Sequence, residues 1–206
     1  TTPWTIPSNR AVALSPSLTY VEVLHEGKKY IVAQSLAEKF LAATGWQGAT
    51  LGATAEGKSF EGRALVHPFM PVQGRVVMAD FVSAEDGTGC VHIAPGHGQE
   101  DYTLGRQLGL EIYSPIQDDG RYADDGLIPA VLVGKTTLEK NGKSEANEAV
   151  IQLLTASGHL LAQKPHSHSY PFCWRSKTPI IFRAVEQWFV GLDRGNMRQK
   201  VLSAVD

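Results

Sequence analysis

The sequence predicts a β-rich α+β domain, and three observations carry that prediction. Residues 20–24 alternate as Tyr-Val-Glu-Val-Leu, and an apolar run resumes over 29–33 after His25-Glu26-Gly27-Lys28, which together read as a hairpin. Residues 63–66 and 75–82 are two further strand-like runs, with Pro68 and Pro71 between them; proline lacks the N–H that a central ladder position needs. Helical spacing, by contrast, is confined to short segments, which places the helices at the periphery.

Leu36, Ala37, Phe40 and Leu41 recur at helical spacing before Gly45, so residues 35–44 are expected to form a short amphipathic helix with a glycine stop. Gly87-Thr88-Gly89 breaks the chain ahead of a strand over 90–94, and Pro95-Gly96-His97-Gly98 breaks it again. A helix over 99–108 then places Asp101 in its first turn, where exposed backbone donors and the local dipole favour a carboxylate. On spacing alone that aspartate is as readily an ordinary helix-start acid. Residues 146–157 read as a surface helix, with Val150, Ile151, Leu153 and Leu154 on the apolar side, Ser144 as cap and Gly158 as stop. From Pro165 the texture turns aromatic, basic and proline-marked as far as Phe189, in the manner of an extended arm returning toward a parent domain.

A length of 206 residues fits one domain, residues 1–206, with terminal segments leading elsewhere. Nineteen Lys plus Arg against 21 Asp plus Glu give a net charge of -2, which supplies no broad positive field for a phosphate backbone, so any nucleic-acid contact is local. The modest basic gathering from Lys164 through Arg183 to Lys200 reads as solvated surface. Two cysteines make no disulfide framework and fit a reducing, cytoplasmic setting. No apolar run approaches the roughly 20 residues of a bilayer span, and the start lacks the features of a signal peptide. The absent initiator methionine, and an ending in mid-helical rhythm, favour a piece excised from a longer protein.

Several apparent motifs fail on chemistry. Gly134-Lys135-Thr136-Thr137 resembles the tail of a phosphate-binding loop, but Pro129 stands where its upstream glycine is required. The acids of 118–125 lack the ligand order and closing glutamate of an EF-hand. His166, His168 and Cys173 supply no convincing set of four zinc ligands. Cys90 and His92 share a strand face by alternation, which does not ensure thiol-to-base geometry, and no Gly-x-Ser-x-Gly elbow is present. What remains is a polar cleft around Thr88, His92, His97 and Asp101.

A resemblance sharpens this reading. Thr1-Thr2-Pro3-Trp4-Thr5-Ile6-Pro7-Ser8-Asn9 resembles the threonine-rich opening of the editing insertion in class I synthetases for isoleucine, valine and leucine. The run from Gly87-Thr88-Gly89-Cys90-Val91-His92 through Pro95-Gly96-His97-Gly98 to Asp101-Tyr102 resembles the isoleucyl version in particular. Ser169-Tyr170-Pro171-Phe172-Cys173-Trp174-Arg175 and residues 182–189 resemble the return toward the aminoacylation body. The resemblance implies a mixed β-barrel-like editing domain with peripheral helices, in which valine misattached to the isoleucine tRNA is hydrolysed, with possible action on valyl-adenylate. It also implies that ATP is used by the parent enzyme elsewhere, that the editing domain needs no metal or organic cofactor, and that its partners are the tRNA acceptor end and the parent catalytic domain, with no membrane.

By the same resemblance, Asp101, Thr1 and Thr2 are the catalytic candidates, and His92, Asp101, Asn9, Trp4 and Thr88 the substrate-binding ones. Asp101 matches the aspartate that holds the substrate α-ammonium. His92 matches the histidine that helps block cognate isoleucine. Thr1 and Thr2 match the threonine wall around the terminal adenosine and the reacting ester. The family commonly carries three threonines before the Pro-Trp pair and this chain has two, which leaves that edge of the pocket open. No residue announces itself as a general base. Two competing readings are a noncatalytic module that grips single-stranded RNA ends by stacking and charge, and a free-standing hydrolase that acts in trans.

Overall fold

The computed structural model describes residues 1–139, 143–164 and 170–205. Its regular elements, in chain order, are β1 (Ala11–Leu14), β2 (Thr19–His25), β3 (Lys28–Ala33), α1 (Ala37–Thr44), β4 (Thr50–Glu56), β5 (Ala64–Val66), β6 (Gln73–Met78), β7 (Cys90–Ile93), α2 (Gln99–Leu108), α3 (Glu145–Ala156) and α4 (Met197–Ser203). A 3₁₀ turn, Pro3–Ser8, precedes them.

Two sheets form the frame. One has the order β5-β6-β1-β7, with β1 parallel to β6 and antiparallel to β7; the other is the antiparallel set β3-β2-β4. The β2–β3 hairpin matches the sequence expectation and turns at Glu26-Gly27. The second sheet and α1 occupy the crossover between β1 and its parallel partner β6. Four buried clusters hold the layers together: Val77, Ile93 and Leu104 join the first sheet to α2, Val23, Val32 and Phe40 join the second sheet to α1, and Leu14, Tyr20, Phe60 and Val76 lie between the sheets. The fourth gathers Trp4, Tyr122, Leu132 and Val150 between the opening 3₁₀ turn and α3.

The α+β class with peripheral helices stands, but the barrel-like closure does not. A barrel needs every edge strand to pair with the next, so that no edge remains. Among the described residues β5, β7, β3 and β4 all remain edges. β5 is three residues long and β4 is largely solvent-facing, so neither offers a ladder that could close the ring. The sheets meet through side chains, and the Ala33 N–H at the end of β3 bonds the Thr88 carbonyl in the turn before β7 (2.8 Å).

Helix α2 has the bounds that the spacing predicted, and Ser144 caps α3 by accepting the Asn147 N–H. Strand β6 stops at Met78, short of the expected 82, because the chain turns there: Ala79 N–H bonds the Leu14 carbonyl and Val82 N–H the Ala79 carbonyl. The arm beyond Tyr170 is extended and mostly exposed, then ends in α4, which buries no residue. His166, His168 and Ser169 lie outside the described residues.

Candidate functional site

The opening turn is the element on which the site is built. Pro at its first position suits a helix start, since that N–H would have no intrahelical partner. Its residues are tied to four separate parts of the fold. Trp4 N–H donates to Asn147 Oδ1 of α3 (2.9 Å), the Trp4 carbonyl accepts from the Tyr122 hydroxyl, Ile6 O accepts from His67 Nε2 (2.9 Å), and Thr5 Oγ1 meets His92 Nε2 of β7 (3.0 Å).

His92 stands on the β7 face that also carries Cys90, while Val91 and Ile93 turn to the core against α2. Asn9 Nδ2 donates to His92 Nδ1 (2.7 Å) and to the Ala11 carbonyl (2.8 Å). Thr5 Oγ1 donates to Thr2 O (2.9 Å), so it accepts from His92. One tautomer satisfies all of these bonds, with the proton on Nε2 and the Nδ1 lone pair taken by Asn9. Burial, then the positive Thr1 amine and the neighbouring His67 and His97, lower the His92 pKa to about 3. The ring is neutral at pH 7 with both nitrogens engaged, which suits a wall and not a general base.

Asp101 approaches the same segment from α2. Its Oδ2 accepts the Ala94 N–H (2.8 Å), two residues beyond His92. Gly98 permits this, since a Cβ there would lie 3.0 Å from the Asp101 carboxyl carbon. The carboxylate also accepts its own backbone N–H, and Oδ1 makes no bond to another residue among the described ones. Burial raises the Asp101 pKa, opposed by the Ala94 bond.

The remaining candidates divide. Thr1 is exposed, and Thr2 is half-buried with no side-chain hydrogen bond at the helix start, so its hydroxyl is uncommitted among the described residues. Asn9 is brought directly onto His92. Trp4 is only 6% exposed and packs edge-on against His97 (4.9 Å), so it lies behind the site. Thr88 lies in the turn before the other end of β7, where its Oγ1 bonds Cys90 N and its carbonyl takes the Ala33 N–H, and no bond joins it to His92 among the described residues.

Sequence reasoning missed Thr5 and His67 as supports, since bonds spanning 87 and 61 residues leave no local signal. Cys90 fits the core-residue reading, because burial pushes its thiol to about 11. Three of the four turn acids have structural partners: Asp118 pairs with Arg183, Asp119 accepts from Arg121 N–H, and Asp125 caps Leu127 and Ile128. Among the described residues no three His, Cys, Asp or Glu are grouped to hold a metal. A groove of about 620 Å³ is lined by Met78, Phe81 and Thr103 on another face of α2 and does not include His92 or Asp101. The chemistry argues for the polar segment over that groove.

Comparison with known proteins gives the family. The profile of the family described as "Leucyl-tRNA synthetase, editing domain" matches residues 4–154. The chain therefore belongs to the editing domains of class I aminoacyl-tRNA synthetases, a family associated with hydrolytic proofreading. Its kin within that family are isoleucine–tRNA ligases. The one from Nitratidesulfovibrio vulgaris strain DP4 is 47% identical over 205 residues, and that from Thermotoga maritima 43% identical over 209, each covering 100% of this chain. The chain is thus an editing (CP1) domain of the isoleucyl type, and it spans 21% and 22% of the length of those two relatives. Among solved structures, the crystal structure of GlLeuRS-CP1 matches with a TM-score of 0.57 at 15% identity, covering 80% of this chain and 82% of that one, a likeness of fold alone. No described helix is long and apolar enough to cross a membrane.

Proposed function

We propose that this chain hydrolyses valine misattached to the isoleucine tRNA, with valyl-adenylate as a second substrate, as one cytoplasmic domain of a synthetase whose ATP-dependent charging takes place elsewhere. A pocket sized for isoleucine excludes valine poorly, because a missing methylene is worth only roughly 1 to 3 kcal/mol, the isoleucine–valine pair being the standard illustration. A second, hydrolytic filter answers that physical limit.

The observation that carries the reading is Asp101, half-buried and pinned through Oδ2 to the Ala94 N–H, two residues along the chain from a neutral and fully bonded His92. In this account Oδ1 grips the substrate α-ammonium by a charge-assisted bond. That fixes the ester carbonyl for an attacking water, which the uncommitted Thr2 hydroxyl and Thr1 help to place. His92 narrows the amino-acid pocket against isoleucine, Asn9 holds His92, and Trp4 supports from behind. Thr88 fixes the start of β7, through Cys90 N and Ala33 N–H, and acts on the pocket through the strand.

The test is single-turnover hydrolysis of valyl-tRNA for isoleucine by the Asp101→Asn and Asp101→Ala variants, with thermal stability measured alongside. Loss of a fixed ammonium is expected to cost about 100-fold or more in both. Wild-type rates in a folded asparagine variant would remove the carboxylate-to-ammonium contact from the account, because asparagine replaces aspartate well as a helix-start residue. The noncatalytic RNA-end reading is favoured by one observation, the exposed Trp174, Trp188 and Phe189 of the arm. It predicts tRNA binding without turnover in the same assay.

A further inference from the structure

Resting on the editing reading above, we propose that His97 is a positioning residue that couples the returning arm to the editing pocket. Its ring joins the arm to the opening turn at the loop from which Asp101 is held.

The arm crosses this loop with strand-like regularity. Ala184 N–H donates to the Gly96 carbonyl (2.8 Å), and His97 Nδ1 bonds the Phe182 carbonyl (3.0 Å). A carbonyl only accepts, so Nδ1 carries the proton. Arg183, between these two contacts, points away and donates to the Ile116 carbonyl and to Asp118. On its other side the loop has no slack, since a Cβ on Gly96 would sit 2.1 Å from the Tyr113 carbonyl. The His97 N–H closes a turn onto the Ala94 carbonyl (2.9 Å), and the Ala94 N–H holds Asp101. The arm is therefore two residues' worth of rigid turn from the candidate catalytic carboxylate. The same imidazole packs edge-on against Trp4, whose neighbour Thr5 holds His92.

The choice of histidine supports a coupling role. His97 is 8% exposed, and its Nε2 is buried with no partner among the described residues. A buried acceptor left unmade costs about 1 to 3 kcal/mol, so packing alone would favour an apolar ring at this position. What a phenyl ring lacks is the Nδ1 donor that holds the arm. Beyond Ala184 the arm is largely exposed, so these contacts are where it meets the pocket loop.

The test compares His97→Phe, which keeps the packed ring and removes the donor, with His97→Asn, whose Nδ2–H replaces that donor. Both are made in the 206-residue chain. Backbone hydrogen exchange at Ala184 and Ala94 reads the coupling without reference to activity, and valyl-tRNA hydrolysis reads its consequence. In the phenylalanine variant, exchange protection at both amides is expected to fall about tenfold, the worth of one hydrogen bond. The hydrolytic kcat is expected to fall by a similar factor with KM little changed, and the asparagine variant restores both. Unchanged protection at Ala94 in the phenylalanine variant would overturn the proposal, as would an asparagine variant that behaves like the phenylalanine one. If the unsubstituted chain does not hydrolyse the ester at all, the editing reading fails, and the exchange comparison still decides whether arm and pocket loop are coupled.

Discussion

Burial and two hydrogen bonds commit the His92 imidazole to a single neutral tautomer, so the part proposed for it in editing is one of shape. His92→Ala is accordingly expected to raise cleavage of correctly charged isoleucyl-tRNA by about tenfold while valyl ester cleavage changes little, within the range one methylene can discriminate. An unchanged ratio between the two esters would assign His92 to packing alone. Thr5→Val removes the acceptor from His92 Nε2 while keeping the branched shape, and should relax the same ratio by a smaller factor. Acid provides a second check. The pKa values of His92 and His97 are lowered on folding to about 3 and about 4, chiefly by burial. Both groups therefore take up protons more readily when unfolded. Stability is unaffected by them above the unfolded value near 6.5 and falls as the pH drops from there toward 4. For His97 alone the full loss is about 3 kcal/mol. Urea midpoints at pH 7 and pH 5 measure it, and equal midpoints would contradict the assigned neutral rings. Asn9, His92 and Asp101 were legible in the sequence through their motif, whereas Thr5 and His67 were not, because their partners are distant in the chain.

The segment from β7 to α2 shows what can be read at the level of elements. Alternation placed Cys90 and His92 on one face, and helical spacing with a glycine break gave α2 its bounds, because both signals are local. Closure of the sheets is not a local property: it depends on which edges pair, and a three-residue β5 and a solvent-facing β4 leave them unpaired. Gly96 is the point where this segment has least freedom. Gly96→Ala forces a methyl group against the Tyr113 carbonyl, and an overpacked site of this kind is expected to cost about 1 to 3 kcal/mol in chemical denaturation. Editing should fall along with stability, since the same loop holds Asp101. A variant with wild-type stability would mean that the loop can shift freely, contrary to the close approach seen on both of its sides.

At the scale of the molecule, the buried clusters lie within residues 4–154, the span matched by the family profile, while the arm beyond them presents Trp174, Trp188 and Phe189 to solvent. The sequence texture marked this stretch as an arm, and its exposure here supports a surface kept for the rest of a longer protein or for tRNA. Trp188→Ala is therefore expected to leave the stability of this chain within about 0.5 kcal/mol, as for surface substitutions generally. A large drop would place the side chain in a core that the structure does not show. The role proposed for the segment around His92 and Asp101 is to cleave the wrong amino acid from the isoleucine tRNA and spare the right one. It is tested most directly by single-turnover hydrolysis of valyl- and isoleucyl-tRNA, both made on the isoleucine tRNA, with the chain in excess. The account predicts rapid loss of valine, little loss of isoleucine, and collapse of the valine reaction on Asp101→Asn. Equal hydrolysis of the two esters, or a valine reaction that survives the asparagine substitution in a folded protein, would contradict it.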